Sequence, residues 1–237
     1  MKALSTLLLA SLTPAWAQIP TPGRAPALSD GQTTTLFDGS VLPKDWKLVN
    51  AVEDHWTMQP KRKSLMIATQ RAACVSAKGG KNFLLLDRPL PAENFEAIVR
   101  ASAGIQTHGN QIALALWSDD ANYFWVTFQG DNQYGNLQRR SYFQKVSQGK
   151  VTGSYAQDIA GATEVYLRIT REDNQYSGAY AVVDPAKPFD PGKMPWMQLG
   201  TLPGIHFTGK VALCAVNSED GAPEVGAEFY SVAIRSK

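Results

Sequence analysis

The sequence predicts an all-β fold, a sandwich of two antiparallel sheets, and three observations carry that reading. Between residues 82 and 128 apolar side chains recur at every second position: Phe95, Ala97 and Val99, then Ile112, Leu114 and Leu116, then Phe124, Val126 and Phe128. That period of two is the period of a strand with one face buried. Turn residues such as Ser118, Asp119 and Asp120 separate the runs at short intervals, as in all-β domains. No internal repeat, heptad or amphipathic helix competes with this pattern.

Taken in order, residues 1–17 read as a signal peptide. Lys2 gives a positive end, 3–12 an apolar run, and Ala15-Trp16-Ala17 a small-x-small cleavage site. Export to the periplasm or the medium is expected. The apolar run is shorter than the roughly 20 residues of a membrane span, and Gln18, not cysteine, follows the cut, so neither a span nor a lipid anchor is expected. Residues 18–32, rich in Pro and small residues, read as a flexible arm. The 237-residue chain leaves enough for one all-β domain over 33–237.

Within it, short runs at 33–37 and 46–49 precede a hairpin of 55–59 with 65–69 and a short strand at 74–77. The central block follows. A polar middle covers 134–142 and 151–155, with Gly130, Gly135, Gly149 and Gly153 read as turn markers. Val165, Leu167 and Ile169 alternate with Glu164, Tyr166 and Arg168, and Arg171 to Asn174 turn the chain into 176–183. Residues 184–195 hold four prolines and read as a long connection, because proline cannot donate to a ladder. Runs at 196–200, 210–216 and 227–234 close the fold.

Composition excludes several functions. Lys plus Arg total 23 against 21 acidic residues, and Lys61-Arg62-Lys63, the one basic cluster, sits in a turn, so nucleic acid is not favoured. His55, His108 and His206 lack the paired spacing of a local zinc site. Calcium is the cofactor that secreted sandwiches use as a staple, yet the acidic turns Asp38-Gly39, Asp119-Asp120 and Glu219-Asp220-Gly221 match no EF-hand loop, and plain turn chemistry accounts for each. No cofactor or metal is therefore expected. The two cysteines, Cys74 and Cys214, either pair in an oxidising compartment or stand as two separate core thiols.

Read together, the runs 83–90 (FLLLDRPL), 94–97 (NFEA), 116–123 (LWSDDANY), 166–169 (YLRI) and the closing Ala227-Glu228-Phe229 resemble the concanavalin A-like sandwich domain C-terminal to family 43 glycoside hydrolase (β-xylosidase) catalytic domains. The likeness covers roughly 36–234. Leu36-Phe37-Asp38-Gly39 followed by Trp46 is also similar to the sandwich domain of 3-keto-disaccharide hydrolases. The resemblance implies a concanavalin A-like jelly roll and carbohydrate as the ligand class, with a concave sheet as the binding face. With no catalytic domain upstream in this sequence, a free-standing module is expected. The long 184–195 connection departs from the tight turn common before the tryptophan matched by Trp196.

Sugars are held by aromatic rings under their C–H faces and by planar polar groups on their hydroxyls. Trp125, Trp117, Tyr166, Arg168, Arg100 and Glu96 fall on the non-core parity of neighbouring runs and are the candidate ligand-binding residues. Trp125 and Arg168 are expected on one polar face, as stacking platform and hydroxyl donor. The plainer reading of the charged residues is that Arg100 and Arg168 pair with Glu96 and Glu164 only to satisfy one another. Glycoside hydrolysis needs two carboxyl groups about 5 to 10 Å apart. No sequence motif supplies such a pair, so no catalytic residue is assigned. A non-catalytic carbohydrate-binding module is the expectation. A glycoside or 3-keto-disaccharide hydrolase using carboxylates from separate strands, and a structural or protein-binding sandwich, are the alternatives.

Overall fold

The computed structural model describes residues 32–72, 78–133, 135–187, 189–204 and 207–237. Among them the strands are β1 (Gln32–Leu36), β2 (Trp46–Val49), β3 (Trp56–Gln59), β4 (Ser64–Ala68), β5 (Gln70–Arg71), β6 (Phe83–Leu86), β7 (Phe95–Ala103) and β8 (Asn110–Asp119). The second half adds β9 (Asn122–Gln133), β10 (Asn136–Ser147), β11 (Lys150–Asp158), β12 (Glu164–Glu172), β13 (Gln175–Val182), β14 (Met197–Pro203), β15 (Lys210–Asn217) and β16 (Gly226–Ser236). A single 3-10 turn, Glu53–His55, is the only helical element among the described residues.

These strands form two sheets of eight. The first runs β14-β13-β12-β7-β16-β4-β3, with β1 also on β16; the second runs β11-β10-β9-β8-β15-β6-β2, with β5 on β15. Every pairing is antiparallel except that of β5 with β15. Chain neighbours pair as hairpins β8-β9, β9-β10, β10-β11, β12-β13 and β3-β4, while β15 and β16 return from the end of the chain to the middle of each sheet. The sandwich is therefore closed by its last two strands.

The alternation read from the sequence selects the inner faces. Phe95, Val99, Ile112, Leu114, Phe124, Val126, Leu167, Ile169 and Phe229 are all fully buried and share one core cluster. Each such side chain contributes about 1.5 to 3 kcal/mol of apolar transfer, which is why register cannot slip by one residue without inverting both faces.

Two of the four glycines read as turn markers are not in turns. Gly135 and Gly149 have φ of +81° and +73°, as turns require, but Gly130 lies inside β9 and Gly153 inside β11. A Cβ on Gly130 would sit 2.1 Å from the Thr107 carbonyl oxygen, and one on Gly153 would meet the Leu202 side chain at 2.4 Å. Close approach, not backbone conformation, is what glycine supplies there. β5 was not anticipated. The strand expected at 74–77, like the arm and signal segment before residue 32, lies outside the described residues. Cys214 is disulfide-bonded, and Cys74 likewise lies outside them. No helix of the described residues is long and apolar enough to cross a membrane.

Candidate functional site

Parity places the six candidate residues outside the core, but the topology divides them between two faces. Glu96 and Arg100 lie on β7, and Tyr166 and Arg168 on β12, on the outer side of the first sheet; Trp117 on β8 and Trp125 on β9 lie on the outer side of the second. The single polar face expected to hold Trp125 and Arg168 together is two faces on opposite sides of the sandwich. Alternation separates inward from outward and says nothing about which sheet a strand joins.

On the first sheet the four residues are largely spoken for. Arg100 Nε donates to Glu164 Oε1 at 2.5 Å. Arg168 stands 3.8 Å from Glu96, whose other oxygen is held by Arg235. The mutual pairing of arginine and glutamate foreseen from sequence is thus observed. The 184–195 connection packs onto this face: Phe189 stacks on Tyr166 at 4.5 Å, the Trp196 ring lies 4.1 Å from the Arg168 guanidinium, and Ile98 and Ala181 share the cluster with Met194. Burial pushes the Tyr166 phenol up to about 12 and pulls Arg168 down.

The same face assembles a carboxylate pair that sequence search did not find. In register across β12, β7 and β16 stand Glu164, Ser102 and Glu228. Two strand spacings put the flanking Cα atoms roughly 9.6 Å apart. Glu228 accepts from Ser64 Oγ at 3.0 Å and faces Arg62 at 2.9 Å. Tyr230 OH lies 3.1 Å from Ser102 Oγ, with its phenol raised first by burial and further by Glu228 and Glu164. Burial raises the Glu164 carboxyl against the pull of Arg100, and Glu228 adds to the rise. Only strand order reveals this pair, because 64 residues of sequence separate its members.

On the second sheet the outer face is aromatic over a small-residue floor. The β8, β9 and β15 registers put Lys210, Trp117 and Tyr123 in one row and Ala212, Ala115, Trp125 and Gln144 in the next. Beyond them lie Ala113, Thr127 and Tyr142, then Gln111, Gln129 and Arg140. Trp125 meets Tyr123 edge-on at 5.7 Å, and Trp117 meets Phe83 edge-on at the same separation. Both indoles are half-buried, and neither indole N–H has a partner among the described residues. At one margin Asp87 is shared by Lys47 and Lys210, which hold its carboxyl down at about 2. At the far end Asp131 accepts from Tyr142 and, at 3.0 Å, from Arg140. These bonds hold the Asp131 carboxyl low although burial opposes them, and burial with Asp131 pushes the Tyr142 phenol up to about 12.

Sequence reasoning did not name Tyr123, Gln144, Tyr142, Arg140 or Asp131 among the ligand-binding candidates. Tyr123 was legible, since it shares parity with Trp125. The others sit on β10 or at the far end of β9, where the weak apolar pattern of 134–142 gave no phase. No group of three or more His, Cys, Asp and Glu among the described residues is placed to hold a metal ion.

Solved structures place this architecture among known folds. The xyloglucan PUL GH43B of Bacteroides ovatus superposes with a TM-score of 0.66 at 17% identity over 91% of this chain and 41% of its own. The GH43 protein BlXynB of Bacillus licheniformis gives 0.67 at 16% identity over 86% of this chain and 39% of its own. The chain thus spans about two fifths of the length of these enzymes. A structure titled native glycosidic hydrolase gives 0.58 at 11% identity, covering 88% of this chain and 97% of its own. Identities this low establish the fold alone. No curated protein matches the sequence closely enough to argue from. The family described as beta xylosidase C-terminal concanavalin A-like domain matches residues 34–233, nearly the whole of the two sheets, and the chain belongs to it.

Proposed function

We propose that this protein is an exported, non-catalytic carbohydrate-binding module that holds a glycan on the outer face of its second sheet. The observation that carries the reading is the group Trp117, Tyr123 and Trp125, half-buried and in register beside the Ala115 and Ala212 floor. Aromatic rings presented beside amide and guanidinium groups, here Gln144 and Arg140, suit the alternating apolar and hydroxyl faces of a sugar. The first sheet is a weaker candidate for binding because Phe189 and Trp196 already cover Tyr166 and Arg168. Titration calorimetry of the mature protein against a panel of plant-cell-wall oligosaccharides tests this. Binding that persists unchanged in folded Trp125→Ala removes the face from consideration.

Hydrolysis is the second reading, favoured by Glu164 and Glu228, two carboxylates that stand on one face across a single strand, as a pair flanking a glycosidic bond must. A neighbour of similar length that shares the fold is titled native glycosidic hydrolase. A hydrolysis screen on the same panel decides it: turnover by the wild type that is lost in Glu164→Gln supports an enzyme.

A further inference from the structure

A cleft of about 260 Å³ opens at one end of the sandwich, between the β8–β9 turn, the end of β10 and the chain after β14. Its floor is the half-buried Phe207 ring, backed by buried aromatic side chains. The Phe124 ring stacks on Tyr176 at 4.4 Å, and Phe207 meets Phe124 edge-on at 5.1 Å. Gly204 makes room for this packing, since a Cβ there would fall 2.4 Å from the Tyr176 ring. Above the floor the rim is hydroxyl-rich: Ser118, Ser147 and Thr208 line the opening, and their side chains have no hydrogen-bond partner among the described residues.

Two further side chains are fixed in place by the fold. Asn122 donates to both Asp119 oxygens at 2.9 and 3.0 Å and accepts the Gln148 N–H at 3.1 Å. Lys145 reaches across the Phe124 ring, 5.7 Å from its centroid, and donates to the Pro203 carbonyl at 2.7 Å. That bond uses one of the three ammonium N–H donors. No carboxylate is among the described lining residues, and the Asp119 carboxylate behind Asn122 is taken up by its amide.

We propose that this end cleft is a second ligand site, which takes one hydroxylated ring, a single monosaccharide unit, against Phe207 with Lys145 and the three hydroxyls on its oxygens. The volume lies just under the roughly 300 to 1,000 Å³ of pockets for drug-sized ligands and suits one small ring better than a chain. An aromatic floor below a rim of hydroxyl and ammonium groups matches the two-faced surface of a sugar ring. Choosing a sugar over another polyol rests on the carbohydrate reading above; the cleft itself is separate from the aromatic face. The sites are near neighbours in the chain, because Trp117 precedes Ser118 and Tyr123 follows Asn122, one on the sheet face and one at its end.

The test is an amide and indole ¹⁵N NMR titration of the mature protein with D-xylose and D-glucose at millimolar concentrations, with glycerol as control. The expected result is a saturable shift of the Ser118, Asn122, Ser147 and Thr208 amides by the sugars and not by glycerol. Affinity should fall about tenfold in Lys145→Met, which removes a charge-assisted donor. It should vanish in Thr208→Trp, which fills the opening at an exposed position, and persist in Trp125→Ala. Sugar shifts confined to the Trp117 and Trp125 indoles overturn the cleft while leaving the face intact. Equal shifts with glycerol, or none at all, overturn it too, and oligosaccharide binding at Trp125 then still tests the face independently.

Discussion

At the scale of single residues, Phe124 and Trp125 are chain neighbours with opposite duties. Phe124 is fully buried among Phe143, Tyr176 and Phe207, so Phe124→Ala should cost about 3 to 5 kcal/mol of stability. Trp125→Ala leaves the core intact and should cost less. It should weaken glycan binding by about 1 to 3 kcal/mol, as for a central aromatic anchor. Thermal melts and calorimetry on the two variants separate these effects, and a collapse of stability in Trp125→Ala would assign that indole to packing. Gly130 gives a second residue-scale expectation. With a Cβ 2.1 Å from the Thr107 oxygen, Gly130→Ala should destabilise by about 1 to 3 kcal/mol although its backbone is an ordinary strand, and a denaturant midpoint equal to wild type would refute this.

At the scale of elements, the connection after β13 behaves as a strap. It makes few backbone ladders, yet its Phe189 and Met194, with the adjoining Trp196, cover Ile98, Tyr166 and Ala181. The Trp196 indole donates to Pro191 O at 2.9 Å and its ring lies against Arg168. Trp196→Ala should therefore cost about 1 to 2 kcal/mol, in the range of a desolvated cation–π contact, and speed hydrogen exchange in the strap before any in β12. Equal protection of the strap in variant and wild type would show that Phe189 alone anchors it.

Across the whole molecule, buried phenols set an alkaline limit. Tyr142 and Tyr166 are pushed up to about 12, mainly by burial, while an unfolded tyrosine ionises near pH 10. Their contribution is intact below about pH 10 and is lost as pH rises from there towards about 12, because the unfolded chain releases its protons first. Asp131 has the opposite sign. Its depressed carboxyl contributes above the ordinary carboxylate range and is lost as pH falls through it. Melting temperature should thus decline at both extremes. Tyr166→Phe, which keeps the stack on Phe189, should shrink the alkaline decline; an unchanged alkaline limb would show that Tyr166 is not the group responsible.

The sequence by itself determined the fold class, the core and the inward or outward sense of the strands that carry a clear apolar alternation. The period of two is local, and burial of one face enforces it on every strand with a clear apolar set, such as β7, β8, β9 and β12. It also determined that Arg100, Arg168, Glu96 and Glu164 were free to satisfy one another, since their parity matched. Only the tertiary structure decided which sheet each strand joins. That assignment depends on β15 and β16 returning to the middle of the two sheets, a pairing between residues more than ninety positions apart, with no local signature. For that reason Trp125 and Arg168, alike in parity, face opposite sides, and Glu164 and Glu228, unrelated in sequence, stand across one strand. The glycines follow the same rule: φ above zero at Gly135 and Gly149 belongs to a turn that neighbouring residues announce, whereas Gly130 and Gly153 answer to side chains and carbonyls brought beside them only when the sheets close.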